Sequence, residues 1–268
     1  MPLSEPLQLA ANVTGSGEPV IVIHGFTGSA EAMAPLVERL DGYRCIAVDL
    51  VGHGRSPSPA DLALYSIEAM AASVAGLAAS AGDGPCHVVG YSMGGRVALT
   101  LASGHREICR SLTLISATAG IADASERAQR RRADEALADR IGEHGLARFA
   151  DEWMSLPMWD PLRASLGPEA WQVSIDQRLR SDPTGLANSL HAAGTGSMTP
   201  LWDRLGALDV PTLVMCGELD VKFVAIGHEM NALLPASDLV VLAGAGHAAH
   251  LEVPDDCATA IRRHLDAY

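Results

Sequence analysis

Six short, mostly apolar runs recur along the chain. They are Val20-Ile21-Val22-Ile23, Arg44 to Val48, Cys86 to Val89, Ser111 to Ser116, Thr212 to Cys216 and Leu239 to Leu242. Runs this short, and in the case of Val20 to Ile23 continuously apolar, fit buried strands of a parallel sheet. Stretches of helical spacing separate them. The spacing predicts helices from about Ala30 to Leu40, from Ser66 to Ala81 with Ser66 as a cap, from Val97 to Ser103 and from Cys257 to Leu265. Strands alternating with helices give an α/β fold: a mostly parallel central sheet covered by helices on both faces.

From about Ala119 to Thr199 the alternation stops. This stretch has helical patterns but no strand-like run, carries the breakers Pro157, Pro161, Pro168 and Pro183, and holds three of the four tryptophans. We expect a helical cap at 119–199, inserted into a core made of 1–118 and 200–268. At 268 residues the chain is long enough for one such unit.

Charge and cysteine content narrow the class of partner. The formal net charge is −13 with no offsetting basic stripe, which argues against nucleic acid. The N-terminus lacks a basic region followed by an apolar run, and no apolar segment approaches the ~20 residues of a membrane span. The five cysteines include Cys45, Cys86 and Cys216 in strand-like runs. Buried free thiols in a reducing compartment explain them, and a cytoplasmic location is expected. No pair has metal-ligand spacing, so neither a metal nor an organic cofactor is expected.

The candidate chemistry centres on Gly90-Tyr91-Ser92-Met93-Gly94, a G-x-S-x-G motif between a predicted strand and a predicted helix. In that context the serine sits on a sharp turn with its hydroxyl lifted above the sheet edge. A serine hydroxyl needs an oriented imidazole, and the imidazole needs a carboxylate. After the fifth run comes Gly217-Glu218-Leu219-Asp220, and after the sixth Gly244-Ala245-Gly246-His247. Ser92, Asp220 and His247 are therefore assigned as nucleophile, acid and base. Glu218 and His250 are the competitors. His24, His53 and Asp49 read as structural groups in glycine-flanked loops. The backbone amides of Phe26 and Met93 are expected to form an oxyanion hole.

Arginine placement adds a second signal. Arg96 lies one turn into the helix after Ser92, where a buried guanidinium needs an anionic partner or ligand. Arg127, Arg130, Arg131 and Arg132 open the cap and Arg178 and Arg180 lie near its end. Arginines facing inward would suit a polyanionic small-molecule substrate, since guanidinium grips carboxylate in a two-point fork.

With these residues in view, the whole chain resembles the α/β-hydrolase fold. More narrowly it resembles the 2-succinyl-6-hydroxy-2,4-cyclohexadiene-1-carboxylate synthases of menaquinone biosynthesis. The resemblance rests on His24-Gly25-Phe26-Thr27-Gly28, Gly52-His53-Gly54, Gly90 through Arg96, Glu126-Arg127 with Arg130, Trp153, Gln177-Arg178-Leu179, Gly194-Thr195-Gly196, Asp220 with Lys222 and Phe223, and Gly246-His247 with His250, Glu252 and Pro254. It implies a lyase in which Ser92, His247 and Asp220 remove a proton from a cyclohexene carboxylate and pyruvate leaves. It further implies that Arg96, Arg130 and Arg178 hold carboxylates, and that Tyr91 and Trp153 line the pocket. Two departures stand out: Ala117-Thr118-Ala119-Gly120, where a proline is expected before the glycine, and Met198, where a glutamine is expected. The alternatives are a serine hydrolase acting on a carboxylate-bearing ester or carbon-carbon bond, and a ligand receptor that keeps the fold without turnover.

Overall fold

The apolar runs become the interior of one seven-stranded sheet in the computed structural model, which describes residues 7–81 and 84–268. In chain order the strands are β1 (Ala11–Thr14), β2 (Glu18–Ile23), β3 (Tyr43–Val48), β4 (Cys86–Tyr91), β5 (Cys109–Ile115), β6 (Thr212–Gly217) and β7 (Ser237–Leu242). Their order across the sheet is β1-β3-β2-β4-β5-β6-β7. β1 pairs antiparallel with β3; all other pairings are parallel.

Period-two geometry explains why β2 reads as continuously apolar. Val20 and Val22 enter one buried cluster and Ile21 and Ile23 the other, so both faces of the strand are covered. The helices, in chain order, are α1 (Ala34–Val37), α2 (Ile67–Ala81), α3 (Met93–Gly104), α4 (Ala124–Met154), α5 (Asp160–Leu179), α6 (Pro183–Ala193), α7 (Val221–Leu233), α8 (Ala249–Glu252) and α9 (Pro254–Leu265). Met70, Val74, Val97 and Leu101 of α2 and α3 fill one face; Leu36, Cys257, Ile261 and Leu265 of α1 and α9 fill the other. Each large side chain sealed this way contributes roughly 1.5–3 kcal/mol.

Two elements differ from the sequence reading. The expected helix from Ala30 to Leu40 is a 3-10 turn at Glu31–Met33, then only four residues of α1, and the chain closes through i→i−3 bonds at Arg39 and Leu40. Leu36 and Leu40 are buried as the pattern required. β1 was not foreseen: it is a largely exposed edge strand whose residues carry no burial signal. Ser66 does cap α2, its hydroxyl accepting from the Ala69 amide at 3.1 Å.

Between β5 and β6 the chain runs through α4, α5 and α6 with no strand among the described residues. Gly145 and Gly167 break α4 and α5 with positive φ. Ile141 and Phe149 of α4 pack on Leu186 and Leu190 of α6. All five cysteines are free and buried. Burial pushes the Cys45, Cys86 and Cys216 thiols up to about 11. No helix among the described residues is long and apolar enough to cross a membrane.

Candidate active site

β4 ends at Tyr91 and α3 begins at Met93, leaving Ser92 alone in the turn with φ 51° and ψ −108°. A non-glycine residue held at positive φ is strained, and such strain gathers where a side chain must be presented. The turn closes because its neighbours lack side chains. A Cβ on Gly94 would overlap the carbonyls of Ile23 and His24, and one on Gly90 would overlap the backbone of Gly94. α3 thereby sits hard against the ends of β2 and β4. Met93, the first residue of α3, has no i−4 carbonyl to receive its N–H.

Two loops deliver the partners. Asp220 follows β6 at the N-terminus of α7, and His247 follows β7. The His247 Nε2 lies 3.1 Å from Ser92 Oγ, and its Nδ1 lies 2.6 Å from Asp220 Oδ2. The carboxylate fixes the proton on Nδ1, which turns the Nε2 lone pair toward the serine. Glu218 accepts instead from the Gly244 amide at 2.9 Å. His250 packs against Tyr91, the rings tilted 48° with centroids 4.2 Å apart. Burial, then the proximity of His247 and Arg178, push it down to about 3, so it stays neutral.

The other histidines of the glycine-flanked loops hold backbone. His24 accepts from the Leu50 amide at 3.0 Å, and burial pushes it down to about 4. His53 bonds the Val51 carbonyl at 3.0 Å and is pushed down to about 3, again chiefly by burial. Asp49 ties the turn down, accepting from Ala30 N at 2.7 Å and from Arg55.

Ser92 and His247 open onto a cavity of about 580 Å³. Phe26, Tyr91, Met93, Arg96, Arg130 and Trp153 line it, as does Asp220. The Gly25–Phe26 stretch reaches the nucleophile: a Cβ on Gly25 would lie 2.8 Å from the Tyr91 ring and 3.3 Å from Ser92 Cβ. Arg96 is 7% exposed, and its Nη1 donates to the Ala193 carbonyl at 2.7 Å. Burial first, then the neighbouring Arg130, push the Arg96 guanidinium down to about 10, with Asp134 opposing. Arg130 donates to Asp134 at 2.8 Å.

The chain matches known proteins over nearly its whole length. The family described as "alpha/beta hydrolase fold" matches residues 18–254. The chain is 36% identical over 239 residues to the "Putative 2-succinyl-6-hydroxy-2,4-cyclohexadiene-1-carboxylate synthase" of Bacillus subtilis, covering 89% of this chain and 87% of that protein. A synthase of the same name from Klebsiella pneumoniae is 30% identical over 88% of each chain. The chain belongs to this synthase family of the α/β hydrolases. Among solved structures, MenH from S. aureus superposes with a TM-score of 0.90 at 30% identity, over 98% of this chain and 99% of that one. A thermophilic esterase from Thermogutta terrifontis, malate bound, gives 0.83 at 30% identity, over 97% and 93%.

Arg178, expected from the sequence as a substrate contact, is not among the residues lining the cavity. Its Nη1 donates to the carbonyl and hydroxyl of Ser174, and its guanidinium lies 5.5 Å from the centre of the Trp159 ring. Arg127 is spent on the Ile121 and Ala122 carbonyls, and Arg180 on Glu31. Arg140, Asp134 and Trp159 line the cavity and were not singled out from sequence. Helical spacing offers a signal for one of them: Asp134 falls four residues after Arg130, one turn along the same face.

The two departures from the family pattern meet each other. A Cβ on Gly120, whose φ is 101°, would lie 3.1 Å from Pro200 Cα and 3.7 Å from Met198 Sδ. Met198 is buried there and lines no part of the cavity. Thr118 alone of this group reaches the cavity wall.

Proposed function

We propose that this chain is a carbon-oxygen lyase that eliminates pyruvate from 2-succinyl-5-enolpyruvyl-6-hydroxy-3-cyclohexene-1-carboxylate, giving 2-succinyl-6-hydroxy-2,4-cyclohexadiene-1-carboxylate. One observation carries the reading: a serine–imidazole–carboxylate relay opens onto a cavity whose wall holds a buried guanidinium bonded only to a carbonyl among the described residues. The synthases named above support it at the level of family.

The roles follow from the geometry. His247 draws the proton from Ser92 Oγ, and the alkoxide removes a ring proton. The electrons of that C–H bond at C2 form a C2=C3 double bond, the existing C3=C4 double bond moves to C4=C5, and the carbon-oxygen bond from C5 to the enolpyruvyl group breaks. The departing enol becomes pyruvate, and the abstracted proton returns to it or to solvent. No water is consumed. Charge that builds on the substrate carboxyl or carbonyl oxygen during proton removal is met by the amides of Phe26 and Met93, and Met93 also lies at the positive end of α3. Arg96 and Arg130 hold substrate carboxylates; Tyr91 and Trp153 shape the walls. In this reading residues 119–199 act as a cap over a core of 1–118 and 200–268. The free thiols support a cytoplasmic setting.

A hydrolase is the second reading, favoured by the likeness to the thermophilic esterase. Purified protein incubated with the enolpyruvyl precursor separates the two. Stoichiometric pyruvate and a ring diene absorbance support the lyase. Rapid cleavage of p-nitrophenyl esters with no pyruvate from the precursor would overturn it in favour of the hydrolase, and tight binding with neither product would point to a receptor.

A further inference from the structure

His247 stands on a loop with little stiffness of its own. Gly244, Ala245 and Gly246 precede it, Gly244 with φ 68°, and Ala248 and Ala249 follow. Side chains this small leave the backbone around the imidazole free to pivot. Yet both ring nitrogens must keep hydrogen-bond distance, 3.1 Å to Ser92 and 2.6 Å to Asp220. Something outside the loop must hold the peptide planes on either side of the histidine.

The half-buried carboxylate of Glu252 is placed to do this. Its Oε1 accepts from the Ala248 amide at 2.9 Å, and its Oε2 accepts from the Gly246 amide. These are the amides of the residues immediately before and after His247. A carboxylate bonded to two N–H groups in this way grips the loop at two points flanking one residue. Ordinary capping of α8 accounts for only one of the bonds. Ala248 is the N-cap position of that helix, but Gly246 lies upstream of it. Burial raises the Glu252 carboxyl above its usual range, and the two amides and His247 oppose that rise.

We propose that Glu252 is a positioning residue for catalysis: by holding the N–H groups of Gly246 and Ala248 it sets the direction in which the His247 imidazole faces Ser92. The proposal rests on the reading of His247 as the base, and its test is chosen to stand apart from the substrate.

The test is the rate at which a fluorophosphonate labels Ser92, measured beside pyruvate release and normalised to the folded fraction. Labelling needs the relay but not the proposed substrate. In Glu252→Gln the shape is kept, while an NH2 group replaces one acceptor oxygen. Labelling and kcat are expected to fall together by ~10-fold to ~100-fold, as for a small misplacement of a reacting group, with KM within ~2-fold. The low-field Nδ1–H proton resonance of His247 should shift. Glu252→Asp, which reaches fewer amides, should fall between wild type and Gln. Glu218→Gln is the control, since Glu218 holds the Gly244 amide on the same loop but does not flank His247. It should label within ~2-fold of wild type. Unchanged labelling in Glu252→Gln, or an equal loss in Glu218→Gln, overturns the proposal. Slow labelling of Glu252→Gln in a protein whose wild type releases no pyruvate upholds it and sinks the substrate reading instead.

Discussion

The guanidinium of Arg96 donates to the carbonyl of Ala193 at 2.7 Å, linking the first turn of α3 to the last residue of α6. A cation buried against a carbonyl is only partly compensated, and in the role proposed above a substrate carboxylate in the adjoining cavity would complete the balance.

Arg96→Lys should therefore lose the two-point grip and lower kcat/KM by ~10-fold to ~100-fold, corresponding to roughly 1.5–3 kcal/mol for a charged hydrogen bond. Arg178→Ala should cost less, because that side chain bonds Ser174 and is not among the residues lining the cavity. Because burial pushes Arg96 down to about 10, it is cationic below that pH. KM should rise as pH passes through about 10. Steady-state pyruvate release checks all three.

Ser92→Ala, His247→Ala and Asp220→Asn should each reduce turnover by ~10²-fold to ~10⁴-fold. The double change Ser92→Ala with His247→Ala should cost little more than the worse single change, since the groups act as one relay. Isothermal titration with product should show binding within ~3-fold of wild type in Ser92→Ala, because the arginine wall is untouched.

The buried strands and the serine turn were legible in sequence because both rest on local chemistry. Val20 to Ile23 must be buried on both faces, and no residue larger than glycine fits at position 94. The positions of His247 and Asp220 were legible because each closes a run of the same kind. β1 was not, since Ala11 to Thr14 pair through backbone at an edge and bury little. Nor was the direction of each arginine along 119–199. Arg127, Arg130 and Arg178 carry the same charge on similar helices, and only packing decides which one meets a carbonyl, a carboxylate or the cavity. The shortness of α1 escaped for a similar reason: Leu36 and Leu40 serve the core equally well on a tightened turn.

Stability should fall on mild acidification. His24, His53 and His250 have folded values of about 4, about 3 and about 3, against an ordinary 6.5. The unfolded chain binds protons below pH about 6.5 that the folded chain refuses. The stabilisation is complete above that pH and is lost as pH falls toward the folded values, by up to ~1.4 kcal/mol per pH unit for each histidine. Urea denaturation at pH 7, 6 and 5 measures the slope, and His53→Gln should make it shallower.

Gly246→Ala should harm both folding and turnover. Its Cβ would lie 2.7 Å from Pro161 Cγ and 3.2 Å from Glu252 Oε2, and a proline ring in α5 has little freedom to yield. A loss of ~1–3 kcal/mol is expected by chemical denaturation. kcat, measured on the folded fraction, should drop further than KM changes.

Pro161 and Trp159 lie together in the stretch between β5 and β6, and Trp159 lines the cavity; yet one rests on the glycine before His247 and the other presents its ring at 6.0 Å to the imidazole. Under the proposed function, recognition and proton transfer would then share a mechanical part. A lineage that redraws this wall for a new guest would retune the imidazole in the same stroke, so altered selectivity and altered speed should arrive as one inheritance.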